Sequence, residues 1–244
     1  MTKQIQIIPK NLVFPTARVL DKEDRELYQE ASRKTAEKFG KDSRAYKTIT
    51  NGIDVENITG SQFFWNTNLG FYLPKNQKVI SLQDAEEINN LYENFFNGFY
   101  TDIPLIVLRT STTSWKPNKQ ILENLVKQVK GEKLSFSSDN PLVISNLELV
   151  KDKNPKNEYG LLLKIGSETK MENDSRFAYS NDSKRIPFGE KQKTFYTQEN
   201  GLSGGFLSRY SNLISGYSNL SDSSDYGRVV LKDAEGITLK NLLD

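Results

Sequence analysis

The stretch "IPLIVL" (103–108) is the longest unbroken apolar run in the chain, and it constrains the fold more than any other segment. Six residues fall far short of the ~20 apolar residues that a bilayer-crossing helix requires. They suffice for one strand of ordinary length, and Ile103, Ile106 and Val107 are β-branched. A strand that is apolar on both faces is a central strand, covered above and below. The chain therefore has to build layers on both sides of a sheet. Its 244 residues allow that, since a chain of this size buries roughly 70% of its unfolded surface.

The helices that supply those layers are marked by their caps. Asp21, with Asp24 three residues on, has the form of an acidic capping box. "RELYQEASRKTAEKF" follows, with Leu27, Tyr28, Ala31, Thr35 and Phe39 on one face and Gly40 at the end. Ser81 and Asp84 form a second box. After it, Ala85, Ile88, Leu91, Tyr92, Phe95 and Phe99 recur at helical spacing toward Gly98. "NKQILENLVKQVKG" (118–131) is the third helix, with Ile121, Leu122, Leu125, Val126 and Val129 turned inward. It lies between the central strand and "PLVISNLELV" (141–150). Strand, helix, strand in that order reads as a βαβ-like unit, with parallel strands and a right-handed crossover.

Beyond residue 140 the pattern changes to short runs between turns. "ISNLELV" and "GLLLKI" flank a Lys/Asn/Pro-rich loop as an antiparallel pair. "RFAYS" (176–180) and "KTFYT" (193–197) read as short strands around a charged loop, 181–192. "YGRVVLKD" and "ITLKNLL" read as a hairpin through "AEG", and "IQIIP" (5–9) as a short strand ended by Pro9. The expected class is α+β: a mixed, mostly antiparallel sheet with about three helices packed on it. Helices fall mainly in the N-terminal half and strands in the C-terminal half. One domain over 1–244 is the first reading; a helical part to 140 and a β-rich part from 141 is the alternative.

Composition narrows the chemistry. The chain has no cysteine and no histidine. That removes disulfides, thiol nucleophiles, imidazole bases and His- or Cys-ligated metals. An enzyme would have to work with carboxylates, Lys or Tyr, and the balance weighs against one without excluding it. No cofactor is implied. The N-terminus shows no signal-peptide pattern and no segment reads as a membrane span, so a cytoplasmic protein is expected.

The net charge is +2, and the excess sits in residues 101–200, which carry 16 Lys+Arg against 13 Asp+Glu. Lys119, Lys127 and Lys130 on the third helix, with Lys184 and Arg185, are the candidates for nucleic-acid contact. "GLSGG" (201–205) lacks the lysine and the following helix of a phosphate loop and reads as a turn or bulged strand. Asp222 and Asp225 lack the spacing of a calcium loop and read as a solvated turn. Phe63, Phe64, Trp65, Phe71 and Tyr72 read as core packing under an irregular loop, with an aromatic ligand surface as the alternative.

The tetrad Tyr-Ser-Asn-Leu occurs twice in "YSNLISGYSNL" (210–220). Ser, Asn and Gly resist helix, and an odd spacing in a strand would put the two copies on opposite faces. The expectation is two short extended or looped segments pivoting at Ser215–Gly216. Leu213 and Leu220 would point inward and the Tyr and Asn side chains outward. Tyr, Ser, Asn and Gly are adaptable contact residues, so the candidate binding residues are Tyr210, Asn212, Tyr217, Asn219, Tyr226 and Arg228. These observations lead to a non-catalytic binding or assembly protein that contacts another protein or itself. Nucleic-acid binding through the basic middle third and a carboxylate-dependent hydrolase are the alternatives.

Overall fold

The "IPLIVL" run lies in β3 (Thr101–Leu108), an interior strand of a seven-stranded sheet. The computed structural model describes residues 17–197, 200–216 and 219–233. The sheet order is β7 (Lys170–Asn173), β4 (Leu142–Ser145), β3, β10 (Leu202–Leu207), β11 (Leu213–Ile214), β9 (Lys191–Tyr196) and β8 (Lys184–Phe188). Neighbours are antiparallel except β11 and β9, which are parallel. β3 alternates between two cores: Ile106 and Leu108 enter one, Ile103, Leu105 and Val107 the other.

The first core is covered by α1 (Arg25–Phe39), α2 (Arg44–Ile49), α3 (Phe63–Leu69) and α5 (Lys119–Gly131), with the hairpin of β5 (Glu148–Lys151) and β6 (Leu161–Lys164). The second is covered by α4 (Leu82–Leu91). A small sheet joins β1 (Ala17–Val19), β12 (Val230–Asp233) and β2 (Gln77–Val79). The class is thus α+β with a mixed, mostly antiparallel sheet, helices mainly early and strands mainly late. Five helices stand among the described residues where three were expected.

The capping signals act as their chemistry requires. Asp21 and Asp24 form a reciprocal box on a 3₁₀ turn that leads into α1, and Gly40 closes α1 at φ 85°. Ser81 and Asp84 form the second box, and Lys78 and Lys232 both reach the Asp84 carboxylate. α4 nevertheless ends at Leu91. Leu91 and Tyr92 are exposed, and Phe96 is the buried ring that the expected stripe left out. The "GLSGG" segment is a bulged strand, β10. Its register against β3 jumps between Gly204 and Gly205.

Four expectations are corrected. β3 and β4 are antiparallel, with Leu108 opposite Leu142. α5 advances about 20 Å, and the ten residues 132–141 can reach about 33 Å, so the chain returns to the end of the sheet it left. "PLVISNLELV" is two strands, broken where Asn146 adopts φ 58°. "RFAYS" opens as a 3₁₀ turn at Ser175–Phe177, capped by Asp174. The expected loop 181–192 holds β8, which pairs with β9 across Gly189 at φ 62°. β8 is an edge strand and carries Pro187. Such edges are where a proline, lacking an N–H, is tolerated. "IQIIP" and "ITLKNLL" lie outside the described residues. β12 pairs with β1 and β2.

Candidate functional site

Asp102 is the one acid on β3, and three local features place it. Pro104 and Leu105 have no partner toward β10, where Gly204 faces Ile106 and Gly205 faces Ile103. Pro104 could donate no ladder bond, so the sequence itself favours a bulge there. Gly205 makes room for it, since a Cβ at that position would lie 2.8 Å from Leu105 Cδ1. The bulge puts Asp102 opposite Phe206, and facing residues of an antiparallel pair share one side of the sheet.

α3 fixes the same point from above. The Asn66 amide donates to the Asp102 carbonyl at 2.6 Å, and the Asp102 N–H donates to Ser61 Oγ at 2.9 Å. α3 forms despite a sequence poor in helix formers because buried Gln62 caps it. Gln62 Oε1 accepts from the Phe64 and Trp65 N–H groups, while its Nε2 donates to the Thr48 and Ile49 carbonyls at the end of α2. The aromatic run "FFW" is therefore a wholly buried helix rather than a loop.

The segment 219–227 closes the other side. Ser61 N–H donates to Ser223 Oγ, and Asn51 holds the Ser221 carbonyl. Gly227 lies so close to Ser61 that a Cβ on it would stand 2.5 Å from the Ser61 nitrogen. Together these elements enclose a cleft of about 240 Å³. Phe63, Tyr100 and Phe206 give it aromatic walls, Gly204 and Leu220 form part of its floor, and Asp102 and Asp222 both line it. The Tyr100 and Phe206 rings are 6.2 Å apart. Burial, with the nearby Asp222 charge added, pushes the Asp102 carboxyl well above the usual carboxylate range, against a hydrogen bond from Ser61.

Asn219 is held from behind. Its Oδ1 accepts from Ser221 Oγ at 3.0 Å and from the Tyr159 hydroxyl at 3.4 Å, and Tyr159 in turn accepts from Trp115 Nε1. Its Nδ2 hydrogens have no acceptor among the described residues. Burial raises the Tyr159 phenol to about 12, so it stays a donor throughout the physiological range.

Of the expected binding residues, Asn219 lines this cleft. Leu213 and Leu220 are buried, as the repeat implied. Tyr210 is 68% exposed and Tyr226 58%. The Arg209 guanidinium stacks over both, 5.0 Å from one ring and 5.9 Å from the other. Tyr226 adjoins the cleft, because its carbonyl accepts from the N–H of Tyr100. Asn212 is half-buried beside Tyr210. Arg228 is spent on its own loop, donating to the Asp225 and Gly227 carbonyls. Tyr217 lies outside the described residues.

The basic candidates do not form one patch. Lys119, Lys127 and Lys130 are exposed on α5, which packs on the first core. Lys184 and Arg185 sit on β8, whose apolar side chains enter the second. Lys184 donates to the Ala178 carbonyl and Arg185 to Thr194. No group of three or more acids able to hold a metal occurs among the described residues. No described helix is long and apolar enough to cross a membrane.

Sequence reasoning missed Asp102 and read Asp222 only as part of a turn. The available signal was phase: Asp102 falls on the same side of the strand as Ile106 and Leu108, where a residue is expected to be apolar. No protein-family model, curated protein or solved structure matches this chain.

Proposed function

We propose that this chain is a non-catalytic binding protein that engages another protein through the aromatic and Asn/Ser-rich face around the Asp102 cleft. The observation that carries this reading is the pair Tyr210 and Tyr226. Both rings are more than half exposed, both lie under the Arg209 guanidinium, and Tyr226 adjoins the cleft through its hydrogen bond from Tyr100. Pinned aromatics lose little entropy on binding and supply large contact area. The reading assumes the cytoplasm, where a chain without cysteine is indifferent to a reducing environment.

A random peptide display library panned against the full chain tests it. Enriched peptides should bind the Tyr210→Ser/Tyr226→Ser double variant at least about tenfold more weakly. If no peptide is enriched, or the variant binds equally well, the reading fails. Light scattering over a concentration series decides whether the partner includes a second copy. A monomer at every concentration removes that arm. The carboxylate pair favours a second reading, a hydrolase acting on glycosidic bonds. Its test is turnover of a panel of chromogenic glycosides by the native chain and by Asp102→Asn; no turnover by the native chain retires it.

A further inference from the structure

Several buried or half-buried acids elsewhere in this molecule are met by cations. Asp84 has Lys78 and Lys232, Asp24 has Arg18, and Asp174 and Glu86 share Arg176. The cleft differs: among the described residues two carboxylates line it, and no Lys or Arg does. In a chain with 33 basic and 31 acidic side chains, this is a local imbalance that a ligand can correct. The walls suit the same correction, since ring faces attract ammonium and guanidinium groups. Arg209 between Tyr210 and Tyr226 shows the chain already holding a cation that way. The cleft is also below the ~300–1,000 Å³ of drug-sized pockets, which fits one side chain.

We propose that the cleft receives a lysine or arginine side chain of a partner protein, seated against the Tyr100 ring and paired with Asp102 and Asp222. This rests on the binding reading above and names its ligand. Asn219 Nδ2 then serves a carbonyl of the partner's backbone, which a free amine would not offer.

A linked proton follows. The ionisable groups facing Asp102 are Asp222 and Tyr100, and Arg209 and Arg228 stand outside the cleft lining. Burial and the Asp222 charge both favour the protonated form of Asp102. An arriving cation favours the carboxylate, so binding releases a proton and affinity rises with pH.

Calorimetry on the full chain tests this with four probes: acetyl-Gly-Gly-Lys-Gly-Gly-amide, its arginine and norleucine analogues, and butylamine. Titrations run at about pH 5 and about pH 8, in buffers of different ionisation enthalpy. The Lys and Arg peptides should bind, with the norleucine analogue at least about tenfold weaker. Asp222→Asn, a change at an exposed residue, should weaken the cationic peptides about tenfold. Asp102→Asn should do the same and abolish proton release.

Equal binding of the norleucine and lysine peptides overturns the proposal. So does the absence of binding by either cationic peptide at about 5 mM. Butylamine binding as tightly as the lysine peptide moves the ligand to a free amine and also overturns it. The display experiment separates the two failures. Enriched peptides without Lys or Arg that still need Tyr210 and Tyr226 leave the binding face standing and remove only the cation.

Discussion

The two ends of β3 treat a buried charge in opposite ways. At one end Arg109, fully buried, donates to the Phe177 carbonyl and to the hydroxyls of Ser203 and Ser215. Burial lowers its pKa to about 10, far too little to discharge it. At the other end the Asp102 carboxyl shares an open cleft with a second acid, Asp222, and burial together with that charge favours its protonated form. The first arrangement is closed by hydrogen bonds and fixes structure. The second is left for something outside the chain to complete. Burial alone therefore does not mark a functional charge; what matters is whether the folded chain itself satisfies the buried group.

Substitutions can break or sharpen that contrast. The largest effect is expected from Arg109→Met, which strips a buried carbonyl of its donor and leaves a poorly filled space. It should cost about 3 kcal/mol or more in urea denaturation. A loss below about 1 kcal/mol would show that the Arg109 end is not structural.

Asp84 supplies the intermediate case, a buried acid with cations. Burial opposes its charge, but Lys232, Ser81 and Lys78 outweigh that and hold the carboxyl at about 2. Because the folded value lies below the unfolded one, the stabilisation is complete above the unfolded pKa and fades as pH falls toward 2. Asp84→Asn should cost about 2 kcal/mol at pH 7, shrinking on acidification.

Asp102 should do the reverse. Its folded value lies above the unfolded one, so its contribution is full below the unfolded pKa and lost as pH rises through the folded value. Asp102→Asn should therefore melt higher than the native chain at pH 8 and close to it at pH 4, by a smaller margin than Asp84→Asn loses. Thermal melts at the two pH values decide it. A lower melting point at pH 8 would mean the carboxylate is stabilised by something in the folded chain.

The smallest stability effect belongs to Gly204→Ala. A Cβ there meets Leu220 Cδ2 at 3.4 Å, an ordinary contact. The change should alter stability by less than about 1 kcal/mol while weakening the lysine peptide, because it fills the cleft floor. Unchanged peptide affinity would place the ligand elsewhere.

What could be read from the sequence follows from range of interaction. The caps at Asp21 and Ser81, the α5 stripe and the central strand are local patterns, and each was legible. The direction of β4 was not, because it depends on how far residues 132–141 carry the chain. α3 was hidden for a related reason. Its cap, Gln62, is a weak N-cap type that works here because its amide also satisfies the end of α2. The outward Tyr210 and Tyr226 rings were legible. The cleft was not, since Asp102, Ser61 and Asp222 meet only after three distant segments pack together.

Pro187 has a consequence at the scale of many molecules. Along the outer edge of the seven-stranded sheet it withholds an amide from any incoming strand, and Lys184 and Arg185 place charge beside it. The opposite edge, β7, is four residues long and carries Lys170 and Glu172. Edges of this kind resist growth by strand stacking. Concentrated solutions of this protein should stay clear of fibrils, and Pro187→Val is the single change most suited to seeding them.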